Sequence, residues 1–142
     1  MRKDTASPLR FQPRLAATAF HLLLLAAVLA LFAGRKPGLF RSQAILDLLP
    51  GFYSHVSNFA LSYLFFAGVG FAWLMTGVRV HALVLAALVL GGVNVAYELL
   101  LPLLNTRDPM DAVHGVAGTL LGLAWLLILR RFGLRRAPDP GT

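Results

Sequence analysis

The chain has 142 residues, of which 58% are hydrophobic and only 13% charged, with 13 Lys and Arg against 6 Asp and Glu and no cysteine. An ordinary globular domain is about a quarter charged, and a chain this short cannot hide so much apolar surface in one core, which argues strongly against a soluble monomer. The missing cysteines exclude disulfides, thiolate metal sites and a Cys nucleophile; the formal net charge of +7 would suit nucleic acid only if the basic residues were clustered on a soluble surface.

They are not. The first four, Arg2, Lys3, Arg10 and Arg14, precede Leu15–Gly34, a 20-residue stretch in which only Thr18 and His21 are polar. A helix needs about 20 apolar residues to cross roughly 30 Å of hydrocarbon, so 15–34 is the first predicted span. It is longer than a signal-peptide core and ends at Gly34-Arg35-Lys36 without a small-residue cleavage site, which predicts an uncleaved helix. The loop that follows is the longest, and Ser42 to Pro50 within it has apolar residues at helical spacing, as expected of a short amphipathic helix on the outer surface. The second span, 56–78, is free of charge, and Gly77 to His81 joins it by a tight turn to the third, 80–104, as an antiparallel hairpin. A second turn, Asn105 to Asp111, leads to the fourth span, 112–129, and then to Arg130, Arg131, Arg135 and Arg136. Residues 137–142 are expected to be a disordered tail.

Lipid offers a backbone no hydrogen bonds, and uninterrupted apolar runs do not suit barrel strands. The expected fold is therefore all-α, a single membrane domain over residues 1–136 built as a four-helix transmembrane bundle. Nine of the Lys and Arg fall on the side of the termini and the Arg79 turn, and four on the other, so both termini are expected in the cytoplasm. The basic excess is a topology signal and an attraction to anionic lipid, and no nucleic-acid partner is expected.

One charge lies inside a span. Glu98 sits about six residues, roughly 9 Å, below the outer end of the third span, and an intramembrane carboxylate marks a functional site or a buried ion pair by default. Asn94 is one turn before it, Gly91 one turn further, and Pro102, four residues on, removes the helical partner of the Glu98 carbonyl and predicts a kink. Asp108 and Asp111 begin the fourth span, followed by His114, Gly115, Gly118 and Gly122 at three- and four-residue spacing, which makes a groove for a packing helix. Asp108-Pro109 also reads as an N-cap with proline at the first helical position, and Asp111 suits the helix dipole. Arg107 and Asn105 complete the turn, a purely structural Glu98–Arg107 pair is the bland alternative, and Ser57 and Asn58 stand at the same level in the second span. His21, His55, His81 and His114 raise the question of a bis-histidine haem, but His55 and His81 fall at span boundaries, and no cofactor is expected. Tyr63, Trp73 and Trp125 read as packing or interface residues.

The segment YELLLPLLNTRDPMDAVHGVAGTLLG, residues 97–122, resembles the VanZ-like family of small membrane proteins. That family pairs a glutamate-bearing helix end with an Arg/Asp turn, a second Asp and a helix with glycines four apart; Glu98, Asp108, Asp111, Gly118 and Gly122 stand in that order, and Asn58 matches a polar residue of its second span. Leu101, Asn105 and Gly115 depart from the pattern, holding the places of a glutamine, an arginine and an asparagine. The resemblance implies a bacterial envelope protein of the inner membrane and, through the family's namesake, a link to glycopeptide resistance; it implies no reaction.

The expected function is a multi-pass inner-membrane protein whose outer-face cluster of Glu98, Asp108, Asp111, Arg107, Asn105, Asn94 and Asn58 engages a polar or lipid-linked envelope molecule, with Arg107 holding an anionic group and Glu98 available as a general base. No nucleophile, metal triad or phosphate loop is recognisable, so an enzyme is not the leading expectation. The alternatives are a non-catalytic assembly protein whose glycine-faced helices dock on a partner or a second copy, and a small transporter or channel subunit that lines a pathway as an oligomer.

Overall fold

The structure, a computed structural model, describes residues 9–38, 40–100 and 108–138. Four long apolar helices dominate it: α1 (Leu15–Ala33), α3 (Phe52–Thr76), α4 (Val80–Leu100) and α5 (Pro109–Ile128), with a short α2 (Gln43–Leu48) in the loop where the spacing predicts one. All four are long and apolar enough to cross a membrane. Their outward faces carry bulky apolar side chains such as Leu22, Leu23, Phe65, Leu88, Leu120 and Leu121, each more than half exposed. A surface this apolar is suited to hydrocarbon and not to water, as a multi-pass membrane protein requires.

Two helix starts differ from the expected spans. α3 begins at Phe52 and not 56, and α5 at Pro109 and not 112, because the polar residues at those ends are helical too. α5 is capped as its sequence predicts: Met110 N–H donates to Asp108 Oδ1 at 2.9 Å, and Pro109 occupies the first turn. α3 ends at Gly77, whose φ of 83° is left-handed; its N–H donates to Leu74 O, and Val78 N–H reaches back to Trp73 O. This pair of bonds is a Schellman closure, which glycine adopts without steric cost.

The all-α expectation needs one correction. The residues before α1 and after α5 form a small antiparallel ladder, β1 (Phe11–Pro13) on β2 (Leu134–Arg136), with Phe11 opposite Arg136. It is continued by Ala137 N–H to Arg10 O at 3.0 Å and anchored by Arg10 N–H to Met75 O at 2.8 Å. Ala137 is thus held in the ladder and not loose as expected of the tail; residues 139–142 lie outside the described residues. Between α5 and β2 a π-helical turn, Leu129–Gly133, widens the last turn, and Arg14 N–H donates to Gly133 O. Three chain segments arrive at this end with unpaired backbone groups, and pairing them is cheaper than leaving them unsatisfied. The ladder clasps the start of α1, the end of α3 and the end of α5 together.

The helix order is the other departure from expectation. α3 and α5 form the axis of the bundle, with α1 against α3 and α4 against α5. α3 and α4 run antiparallel but touch little, and a cleft of about 120 Å³ lined by Phe65, Phe66, Val69, Trp73 and Leu90 among others separates them. The reason is the small-residue face of α5: a Cβ on Gly118 would collide with the Phe59 carbonyl, and one on Gly122 would press on Phe66 at 3.2 Å. In return Gly70 of α3 receives Leu126. Glycines facing one another's side chains draw these two helices closest. The core beside the clasp is Phe66, Leu74, Leu83, Ala87, Leu126 and Leu129.

Candidate functional site

Away from the clasp, polar side chains from three helices converge. On α3, His55, Asn58 and Ser62 are three and four residues apart and share a face. On α4, Asn94 and Glu98 are one turn apart, and on α5, Asp108 and Asp111 open the helix, with Gly115 one turn below.

The side chains meet in three layers. Outermost, His55 Nδ1 lies 2.9 Å from Asp111 Oδ1 and 3.5 Å from Asp108 Oδ2. One turn in, Asn58 Nδ2 donates to Glu98 Oε1 at 3.2 Å, and Glu98 is only 4% exposed. A further turn in, Asn94 Nδ2 donates to Ser62 Oγ at 3.0 Å and to Leu90 O at 3.1 Å, using both amide hydrogens. The hydroxyl of Thr119 donates to Gly115 O at 3.0 Å.

The glycines make this possible. α3 and α4 are held apart by α5, yet Asn94 reaches Ser62 because Gly115 has no side chain in the way; a Cβ there would lie 2.5 Å from Asn94 Oδ1. The absence of bulk on α5 opens the gap through which polar groups on α3 and α4 bond over it. The start of α5 adds the positive end of its dipole beside Asp108 and Asp111, which favours two adjacent carboxylates.

Of the seven residues expected at the site, Glu98, Asn94 and Asn58 form the two inner layers, and Asp108 and Asp111 the outer one. Arg107 and Asn105 lie outside the described residues, as do the Glu98–Arg107 pair and the Pro102 kink. His55 and Ser62 complete the site and were not expected in it. The signal for both was available: they flank Asn58 at helical spacing, so the one face that holds Asn58 holds all three. No metal triad was recognisable in sequence, whereas the fold brings His55, Asp108 and Asp111 together, with donor atoms all within 4.8 Å of one another. His55 is more than 50 residues from the two aspartates in the chain, and only the α3–α5 packing joins them.

His21 is buried under Phe71, ring centroids 4.3 Å apart, and its Nδ1 accepts the indole N–H of Trp125 at 2.9 Å. It is a core histidine that ties α1 to α5. Ser62 Oγ accepts from Asn94 Nδ2 at 3.0 Å and donates to Asn94 Oδ1 at 3.2 Å. Comparison of the chain with protein-family models, with curated proteins and with solved structures gives no match.

Proposed function

We propose that this is a VanZ-like multi-pass protein of a bacterial inner membrane, both termini cytoplasmic, that uses its outward polar layers to bind the headgroup of a lipid-linked envelope molecule. The observation behind the reading is Glu98: a carboxylate 4% exposed on a helix without another charged Asp, Glu, Lys or Arg, hydrogen-bonded by Asn58 and followed one turn below by Asn94 and Ser62. Taking a charge into a span is costly, and such residues are retained for ligands, ions or pairing. A carboxylate, two amides and a hydroxyl within two helical turns offer donors and acceptors in the mixture that a sugar or sugar-phosphate headgroup presents. The membrane and its sidedness enter from the apolar helices and from the nine-to-four split of Lys and Arg, and the family from the resemblance over residues 97–122.

The test is Glu98→Gln, which keeps the shape and the bond to Asn58 and removes the charge. Native mass spectrometry of the detergent-solubilised wild type is expected to find a co-purifying amphiphile that the variant loses, and cells relying on the variant are expected to lose the protein's effect on glycopeptide sensitivity. A normally inserted Glu98→Gln protein that retains both overturns the reading.

A further inference from the structure

We infer that the outermost layer is a binding site for a divalent transition-metal ion of the Zn²⁺ class, with His55, Asp108 and Asp111 as its ligands. The inference stands on these three side chains and is independent of the reading of Glu98.

Three features support it. The donor set is one imidazole nitrogen and two carboxylate oxygens, from two helices, within 4.8 Å of one another. Imidazole favours first-row transition metals, whereas Mg²⁺ and Ca²⁺ take oxygen ligands. The spacing also fits: metal–ligand bonds of about 2.0–2.2 Å in a tetrahedron put neighbouring ligand atoms about 3.4 Å apart. His55 Nδ1 is 3.5 Å from Asp108 Oδ2, and the 2.9 Å to Asp111 Oδ1 is a hydrogen bond that opens by about half an ångström when a metal replaces the proton. The ring then takes its Nε2–H tautomer.

The second feature is charge. Two carboxylates face one imidazole, whose single Nδ1–H can serve only the nearer of them. Among the described residues, no Lys or Arg forms a salt bridge with Asp108 or Asp111. A divalent cation would neutralise both at once.

The third is His114. Its ring centroid is 5.1 Å from that of His55, and its Nδ1 is 2.7 Å from Met110 O. A carbonyl can only accept, so Nδ1 carries a proton and the bond holds the ring in place beside His55. The His114 ring nitrogens are not among the donor atoms that lie within 4.8 Å of one another, so His114 backs the His55 ring and the fourth position is left to water.

The experiment uses the full chain in detergent, free of any affinity tag and stripped with EDTA, then titrated with Zn²⁺ against a chromogenic chelator and with Co²⁺ followed by visible absorption. One ion per chain is expected, with a four-coordinate Co²⁺ spectrum, and excess Mg²⁺ or Ca²⁺ should not displace it. His55→Ala and Asp108→Asn should each weaken binding more than about tenfold. Asp108→Asn serves as the folding control, because asparagine caps a helix as well as aspartate does. His81→Ala, on an exposed histidine at the far end of α4, should leave binding unchanged. Absence of stoichiometric binding, binding that survives both site variants, or equal loss in His81→Ala would each overturn the inference.

Discussion

Replacing Gly118 by alanine tests whether the α3–α5 approach is the bond on which the bundle and its polar layers depend. The new Cβ would meet the backbone carbonyl of Phe59, not a side chain that can swing aside. The helices must therefore part. A gap of 0.5–1 Å forfeits about a quarter to a half of each dispersion contact, and with roughly 40 atom pairs at about 0.1–0.2 kcal/mol the loss is about 1–4 kcal/mol. Alanine returns about 1 kcal/mol of helix propensity, leaving a net cost of up to about 3 kcal/mol. Gly92 of α4 supplies the control, since a Cβ there meets nothing within 4 Å. Gly92→Ala should be neutral or stabilising by up to about 1 kcal/mol. Thermal unfolding of both variants in one detergent, followed by near-ultraviolet circular dichroism, should place Gly118→Ala below wild type and Gly92→Ala at or above it. If the two variants melt together, close backbone approach is not what holds α3 against α5.

Further expectations address the ends and the core. Gly77→Ala puts a side chain on a left-handed residue at φ 83° and brings its Cβ to 2.9 Å from the Arg10 side chain; a loss of about 1–2 kcal/mol is expected in the same melt, and an unchanged melting point would refute the Schellman closure. Trp125→Phe removes the donor to His21, and a double-mutant cycle with His21→Leu should return a coupling of about 0.6–1.7 kcal/mol; strict additivity would mean that the bond contributes nothing. An enzymatic reporter active only in the cytoplasm, fused after Thr142, should be active, and an inactive but stable fusion would reverse the orientation assigned from the Lys and Arg split.

The four long helices were legible because charge-free stretches of about 20 residues have few alternatives in a chain this apolar. Their ends were less so: Tyr53, Ser54 and His55 are helical residues that a count of charges cannot tell from a loop. The β1–β2 ladder has three residues a strand and no alternation to read; it forms only because the fold delivers both segments to one place. Within the site, relations along one helix were visible, as in Asn94 with Glu98 and Asp108 with Asp111. Between helices the common level of Asn58, Glu98 and the two aspartates was visible, but not which side chains bond, because that depends on how closely α5 packs on α3 and α4. His55 illustrates the difference: its spacing to Asn58 is in the sequence, while its two carboxylate partners come from a helix more than 50 residues away.

The arrangement also explains how so small a bundle can hold so many polar groups. An amide such as Asn94 within an apolar bundle needs a partner, and the hydroxyl it bonds belongs to a helix that α4 hardly touches. A bulky residue at Gly115 would fill the intervening space and separate the two groups. Gly115→Ala should therefore act differently from Gly118→Ala. Its Cβ displaces a flexible amide, so the helices need not part, and the melt should fall by no more than the loss of one or two hydrogen bonds, about 0.6 kcal/mol each in a membrane protein, set against the gain in helix propensity. The polar layer itself should open, which amide hydrogen–deuterium exchange around Asn94 would register. Faster exchange at Asn94 with a nearly unchanged melting point is the expected signature; a large drop in melting point without it would mean that Gly115, like Gly118, serves only the packing of the helices.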